Sequence, residues 1–206
     1  MEAISILAYS YQVLGDEQGL ANLQEAVKYY KKAADQNYVP ALIALGEIYW
    51  VSTNAKLENE KLAVEYYEKA SMLGSMYADY SLGRHYLGWD QEGDCGSVGN
   101  GNLINKGKGL GLLRKAAEKG SVDAARILGN FYRYDSEREG VADLKQAKVW
   151  FKKAAELGAD TAADLQDIKD QEAQKQREIK ASAEVTKPSD QEPVKTSETD
   201  NNTAKE

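Results

Sequence analysis

The stretch YYKKAADQNYVPALIALGEIY, residues 29–49, is written a second time as YYEKASMLGSMYADYSLGRHY, residues 66–86, with small and aromatic residues at the same offsets. Such a chain must stack like units on one another, because no single copy can bury its own apolar face. The pattern A-x-x-x-L-G-x-x-Y is met by Ala41-Leu45-Gly46-Tyr49, Ala78-Leu82-Gly83-Tyr86 and Ala124-Leu128-Gly129-Tyr132, with Ala3-Leu7-Ala8-Tyr11 as a first copy. Between these runs a second pattern: Ala26-Tyr29-Lys32-Ala33-Asn37, Ala63-Tyr66-Lys69-Ala70-Gly74 and Ala147-Trp150-Lys153-Ala154-Gly158, with a degenerate copy at Gly109-Leu112-Lys115-Ala116-Gly120.

These spacings belong to paired helices. Residues at i, i+4, i+5 and i+8 lie along one side of a helix. A mid-helix glycine costs about 1 kcal/mol relative to alanine, so Gly46, Gly83 and Gly129 at one equivalent position imply a neighbouring helix too close for a β-carbon. In the second helices the alanines sit seven apart, and the aromatic three after the first (Tyr29, Tyr66, Trp150) is expected to fill the volume between them. Asn37, Gly74, Gly120 and Gly158 follow each second helix, where a left-handed C-cap favours Gly and then Asn. From the alanine that ends each second pattern to the one opening the next copy is always eight residues (33 to 41, 70 to 78, 116 to 124, 154 to 162), so the turn between units is fixed. The gap inside a unit is 15, 14, 23 and 15, which confines the surplus of the third unit to its internal loop.

The chain resembles the Sel-one-like repeat family, relatives of the tetratricopeptide repeats, most closely in its fourth unit: ARILGNFY, then GVAD with Gly140, Val141 and Asp143, then QAKVWFKKAAELG with Trp150. The resemblance covers about residues 1–168. It implies an all-α, right-handed α/α superhelical solenoid that assembles other proteins and performs no chemistry of its own. Units are expected at about 1–37, 38–74, 75–120 and 121–158. A capping helix from 159 is expected because Gln166 and Asp167 replace the Leu-Gly pair. Residues 169–206 contain no aromatic and carry interleaved polar groups. They are expected to form a polar tail, helical at first and then disordered.

Composition narrows the partners. Thirty-three acidic against twenty-six basic side chains give a net charge of −7, which repels phosphate backbones and anionic lipid over most of the surface. No apolar run approaches the roughly twenty residues a membrane span needs. The single Cys95 cannot form an internal disulfide, and the first residues lack the features of a secretion signal. A cytoplasmic protein is expected, or a periplasmic or secreted one if a signal has been removed.

Each first helix carries a second stripe at i, i+4, i+7: Ser5, Tyr9, Gln12; Ile43, Glu47, Trp50; Tyr80, Arg84, Leu87; and Arg126, Asn130, Arg133. The resemblance implies that these line a concave wall. The wall would offer Tyr9, Trp50 and Tyr80 as anchors and Arg84, Arg126 and Arg133 as cations for partner carboxylates, the residue types that dominate binding hot spots. In the plainer reading Ile43 and Tyr80 are core, and the arginines pair with local acids such as Asp79, Asp123 and Asp135.

The glycine-rich loop at 88–111 fails the phosphate-loop pattern, since Gly109 follows Gly107-Lys108 where Ser or Thr is required. Asp90, Glu92 and Asp94 begin like a calcium loop, but Gly101 stands where a bidentate Glu should be. Trp89 either packs this insertion down or meets the partner. His85, the only histidine, has no local companions for a zinc site or a nucleophile and reads as a packing residue. No cofactor and no metal are expected. Two functions remain: a scaffold binding a protein partner through the wall, or an immunity-type inhibitor that neutralises a toxin or effector enzyme through the 90–104 loop.

Overall fold

A computed structural model describes residues 6, 8 and 9 and the segments 20–51, 60–88, 104–135 and 143–185. Every regular element among the described residues is helical: α1 (Leu20–Ala34), α2 (Val39–Val51), α3 (Glu60–Met72), α4 (Met76–Leu87), α5 (Lys106–Glu118), α6 (Val122–Asn130) running into a π-helical turn (Phe131–Asp135), α7 (Leu144–Glu156) and α8 (Ala162–Val185). Ile6, Ala8 and Tyr9 are also helical and belong to the first helix of unit one. Successive helices pack in pairs, which makes the fold a helical solenoid.

One device joins the units. After each second helix the chain turns through a left-handed residue: Asn37 at φ 59°, Gly74 at 92°, Gly120 at 101° and Gly158 at 101°. At all four junctions the residue after it donates its N–H to the same alanine carbonyl: Tyr38 to Ala33 at 3.2 Å, Ser75 to Ala70 at 3.0 Å, Ser121 to Ala116 at 3.0 Å and Ala159 to Ala154 at 2.9 Å. This is the two-bond helix stop that uses up otherwise unpaired carbonyls, and its fixed geometry is why the eight-residue spacing never varies. Ser75 and Ser121 then accept the N–H of Ala78 and Ala124, each at 3.2 Å, and cap the next helix. Asp143, the acid of the GVAD sequence, does the same for α7 by accepting from Gln146 at 3.0 Å.

The mid-helix glycines mark the closest approaches. A β-carbon on Gly46 would lie 2.9 Å from the ring of Tyr67, and one on Gly129 would lie 2.9 Å from the ring of Phe151. The aromatic that seals each pair is therefore one residue later than the sequence pattern suggests. Tyr30, Tyr67 and Phe151 are buried while Tyr29, Tyr66 and Trp150 are only half-buried. The later residue lies four after the first alanine and three before the second, so it shares their face, whereas the earlier one is rotated away by about 100°. The degenerate third unit is a matched substitution. There Gly83 faces Leu113 in place of an aromatic ring, and Gly109 in place of alanine lets its backbone come against the backbone of Gly83.

The core runs along the stack as successive clusters, the last formed by Ala147, Phe151 and Ile168. Ile168 is fully buried and anchors the first turns of α8, with Thr161 donating to the Phe151 carbonyl at 3.2 Å. The chain divides between Ile168 and Lys169. Beyond that point α8 continues to Val185 with residues 173–182 exposed, and the expected disorder of the remaining tail lies outside the described residues.

Candidate interaction surface

The wall stripe is built mainly by α2 and α4. Tyr9 is 63 % exposed and helps line an open cleft of about 410 Å³ together with Ile6, Tyr30, Pro40, Ile43, Ala44 and Glu47. Glu47 accepts a hydrogen bond from the Tyr77 hydroxyl at 2.7 Å, which ties α2 to α4. Tyr77 meets Tyr80 with ring centroids 6.3 Å apart, and the Arg84 guanidinium lies 5.4 Å from the Tyr80 ring centre with Nη1 3.5 Å from its hydroxyl. Tyr77, a residue the stripe pattern did not include, thus links Glu47 to Tyr80 and Arg84, while Tyr9 shares the cleft with Glu47. A signal for it existed. Tyr77 occupies the position held by Pro40, Asp123 and Thr161 in the other units, and Met76 beside it is also exposed.

Trp50 and His85 stack at 3.4 Å between ring centres, and the Tyr67 ring is tilted against His85 at 5.8 Å. Burial, aided by the Arg84 charge, pushes the His85 imidazole down to about 3, so it is a neutral packing group at physiological pH. Trp50 is half-buried. Leu87 is buried in the core cluster that also holds Leu113, Leu128 and Phe131, and Tyr80 packs against that cluster.

The C-terminal end of the stripe departs from expectation. Arg126 is exposed and Asn130 half-buried, but Arg133 is buried and does not serve as a groove cation. Its Nη1 lies 3.2 Å from Asp164 and 3.2 Å from Asp167, and its guanidinium stacks 4.2 Å from the Tyr134 ring centre. The cause is the π-helical turn at Phe131–Asp135, which widens the helix by one residue and rotates Arg133 out of the α-helical register used to draw the stripe. Arg133 holds the capping helix.

Asp79 is likewise not an arginine partner. It is fully buried and accepts hydrogen bonds from Ser71, from Lys115 at 3.0 Å and from Lys119 at 2.6 Å, while Lys119 also reaches the Gly74 carbonyl at 2.9 Å. Three helices meet on this one carboxylate.

Gln12 and Trp89 lie outside the described residues, as do Ser5, Asp90, Glu92, Asp94 and Cys95. The ends of the third-unit insertion are described: Gly88 stops α4 at φ 70°, and the Asn105 N–H donates to the Tyr86 carbonyl at 2.8 Å, so the loop leaves and re-enters at one place. Among the described residues no group of His, Cys, Asp and Glu side chains is arranged to hold a metal, and no helix is long and apolar enough to cross a membrane.

The family model described as Sel1 repeat matches residues 2–38, 39–75, 77–121 and 122–158. Among solved structures, a protective antigen present in uropathogenic Escherichia coli strains, displaying an SLR fold, is 29% identical at a TM-score of 0.56, covering 77% of this chain and 31% of its own. A Sel1 repeat protein from Oxalobacter formigenes is 25% identical at a TM-score of 0.55, with 76% and 58% covered. The chain therefore spans about a third of the first of these and under two thirds of the second. An immunity protein from Pseudomonas aeruginosa matches at 23% identity and a TM-score of 0.48, covering 74% of this chain and 55% of that one, a level of likeness that carries no argument. No curated protein sequence matches.

Proposed function

Because the chain belongs to the Sel1 repeat family, we propose that it is a non-catalytic scaffold holding another protein along the wall of its first helices. Sel1 repeat proteins are generally protein-interaction scaffolds. The observation that carries the reading is the linked surface of Tyr9, Glu47, Tyr77, Tyr80 and Arg84, where exposed aromatic faces and charged groups sit on rigid helices beside an open cleft. Recognition there costs little ordering entropy, because the helices are preformed and the side chains already touch one another. Large amphipathic side chains in such a setting are the usual source of binding energy. Arg84 and the exposed Arg126 supply cations for partner carboxylates toward the C-terminal units.

The test compares variants of the full chain in partner capture by cross-linking. Tyr9→Ala combined with Arg84→Glu is expected to reduce capture roughly tenfold or more. Glu65→Lys and Lys152→Glu, at exposed positions of α3 and α7, are expected to leave it unchanged. Equal capture by the wall variant removes the reading.

A further inference from the structure

The cleft at the N-terminal end of the wall has a chemistry of its own. Its lining is aromatic and aliphatic, from Ile6, Tyr9, Tyr30 and Ile43, with one charged group, Glu47. Among the described residues Glu47 has no cation within ion-pair distance; the hydrogen bond from Tyr77 orients its carboxylate without neutralising it. The repeat provides an internal control, because the position of Glu47 is held by Tyr9, Arg84 and Asn130 in the other units. Negative charge on the wall is therefore particular to this unit. The carboxylate is felt locally: burial first, and then the Glu47 charge, raises the Tyr30 hydroxyl above its ordinary value, and burial followed by the hydrogen bond to Glu47 and its charge raises Tyr77.

We propose that this cleft is a cation subsite that takes a lysine or arginine side chain of the partner, flanked by apolar residues, with the aliphatic stem along Ile6 and Ile43 and the charged head between Glu47 and the tyrosine faces. The inference rests on the scaffold reading and specifies what the partner presents at this end of the wall. A carboxylate provides the charge-assisted hydrogen bond, and tyrosine rings attract a cation over their faces. The apolar walls match the methylene stem of a long basic side chain. An acidic or small polar side chain satisfies neither part. The net charge of −7 favours approach of a basic segment over the whole surface.

The experiment titrates the full chain with three blocked tripeptide amides, Leu-Arg-Leu, Leu-Gln-Leu and Leu-Glu-Leu, and follows the methyl resonances of Ile6, Ile43 and Ala44. The arginine peptide is expected to bind roughly tenfold more tightly than the glutamine peptide, and Glu47→Gln to abolish most of that difference. Raising the salt is expected to weaken the arginine peptide selectively. Equal affinities, a preference for the acidic peptide, absence of binding by all three, or shifts mapping away from the cleft would each overturn the proposal. Glu47→Gln preserves size at a half-buried position, and its circular dichroism and melting temperature establish that it is folded. If the peptides ignore charge while Tyr9→Ala with Arg84→Glu still loses the protein partner, only the cation subsite fails. If that wall variant keeps its partner, the scaffold reading fails.

Discussion

Gly109 and Gly111 sit two residues apart on α5, and replacing each with alanine is predicted to move stability in opposite directions. Both substitutions gain about 1 kcal/mol of helix propensity, because alanine loses less backbone entropy than glycine. At Gly111 nothing lies within 4 Å of the new β-carbon, so that gain is kept. At Gly109 the β-carbon would lie 2.9 Å from the carbonyl oxygen of Gly83 and 3.0 Å from Leu87 Cγ. The first obstacle is backbone, so relief requires α4 and α5 to separate along their contact. Overpacking of a close interface costs about 1–3 kcal/mol, and the upper part of that range applies when the neighbour cannot rotate away. Gly109→Ala should thus lose about 1–2 kcal/mol and Gly111→Ala gain about 1 kcal/mol, a gap of about 2–3 kcal/mol. Urea unfolding followed by far-ultraviolet circular dichroism measures this directly, and thermal melts should differ by roughly 4–12 °C. Equal midpoints, or a more stable Gly109→Ala protein, would refute the backbone contact and with it the explanation of the degenerate third unit.

Other consequences are equally specific. Asp79→Ala removes the acceptor shared by Ser71, Lys115 and Lys119 and should cost about 1–3 kcal/mol, moderated because both lysines can return to solvent; urea midpoints decide it. Arg133→Gln should loosen the cap, seen as faster amide exchange at residues 162–168 with little change in α2, whereas uniform acceleration would contradict the local clamp. The His85 value of about 3 against 6.5 when unfolded means that the unfolded chain binds the extra proton between those values. Stability should therefore be full above about pH 6.5 and fall as pH drops toward 3, by about 2 kcal/mol at pH 5. His85→Gln should flatten that part of the profile, and an unchanged profile would show that the imidazole is not buried neutral.

Local rules made the scaffold legible in the sequence, and longer-range geometry made part of the site illegible. Alanine and glycine spacings, left-handed caps at Asn37, Gly74, Gly120 and Gly158, and the fixed turn are all written within ten residues of one another, so periodicity exposes them. The choice between Tyr66 and Tyr67 is harder to read, since the adjacent aromatics Tyr29 and Tyr30, Tyr66 and Tyr67, Trp150 and Phe151 recur at equally regular spacing and differ only in rotation about the helix. Arg133 was misplaced because a π-helical turn changes register without a sequence signature of its own. Asp79 in a first helical turn looks like an ordinary dipole-matching acid. Its partners Lys115 and Lys119 lie 36 and 40 residues away and are brought to it only by stacking. Tyr77 needed a comparison of unlike residues between units, the reverse of the search for likeness that reveals a repeat.

Amide hydrogen exchange on the full chain, with and without its captured protein partner, tests the central claim most directly. The account predicts slowed exchange over residues 43–50 of α2 and 77–87 of α4, with the exposed faces of α3 and α7 unaffected. Protection confined to those second helices, with α2 and α4 exchanging as in the free protein, would contradict it.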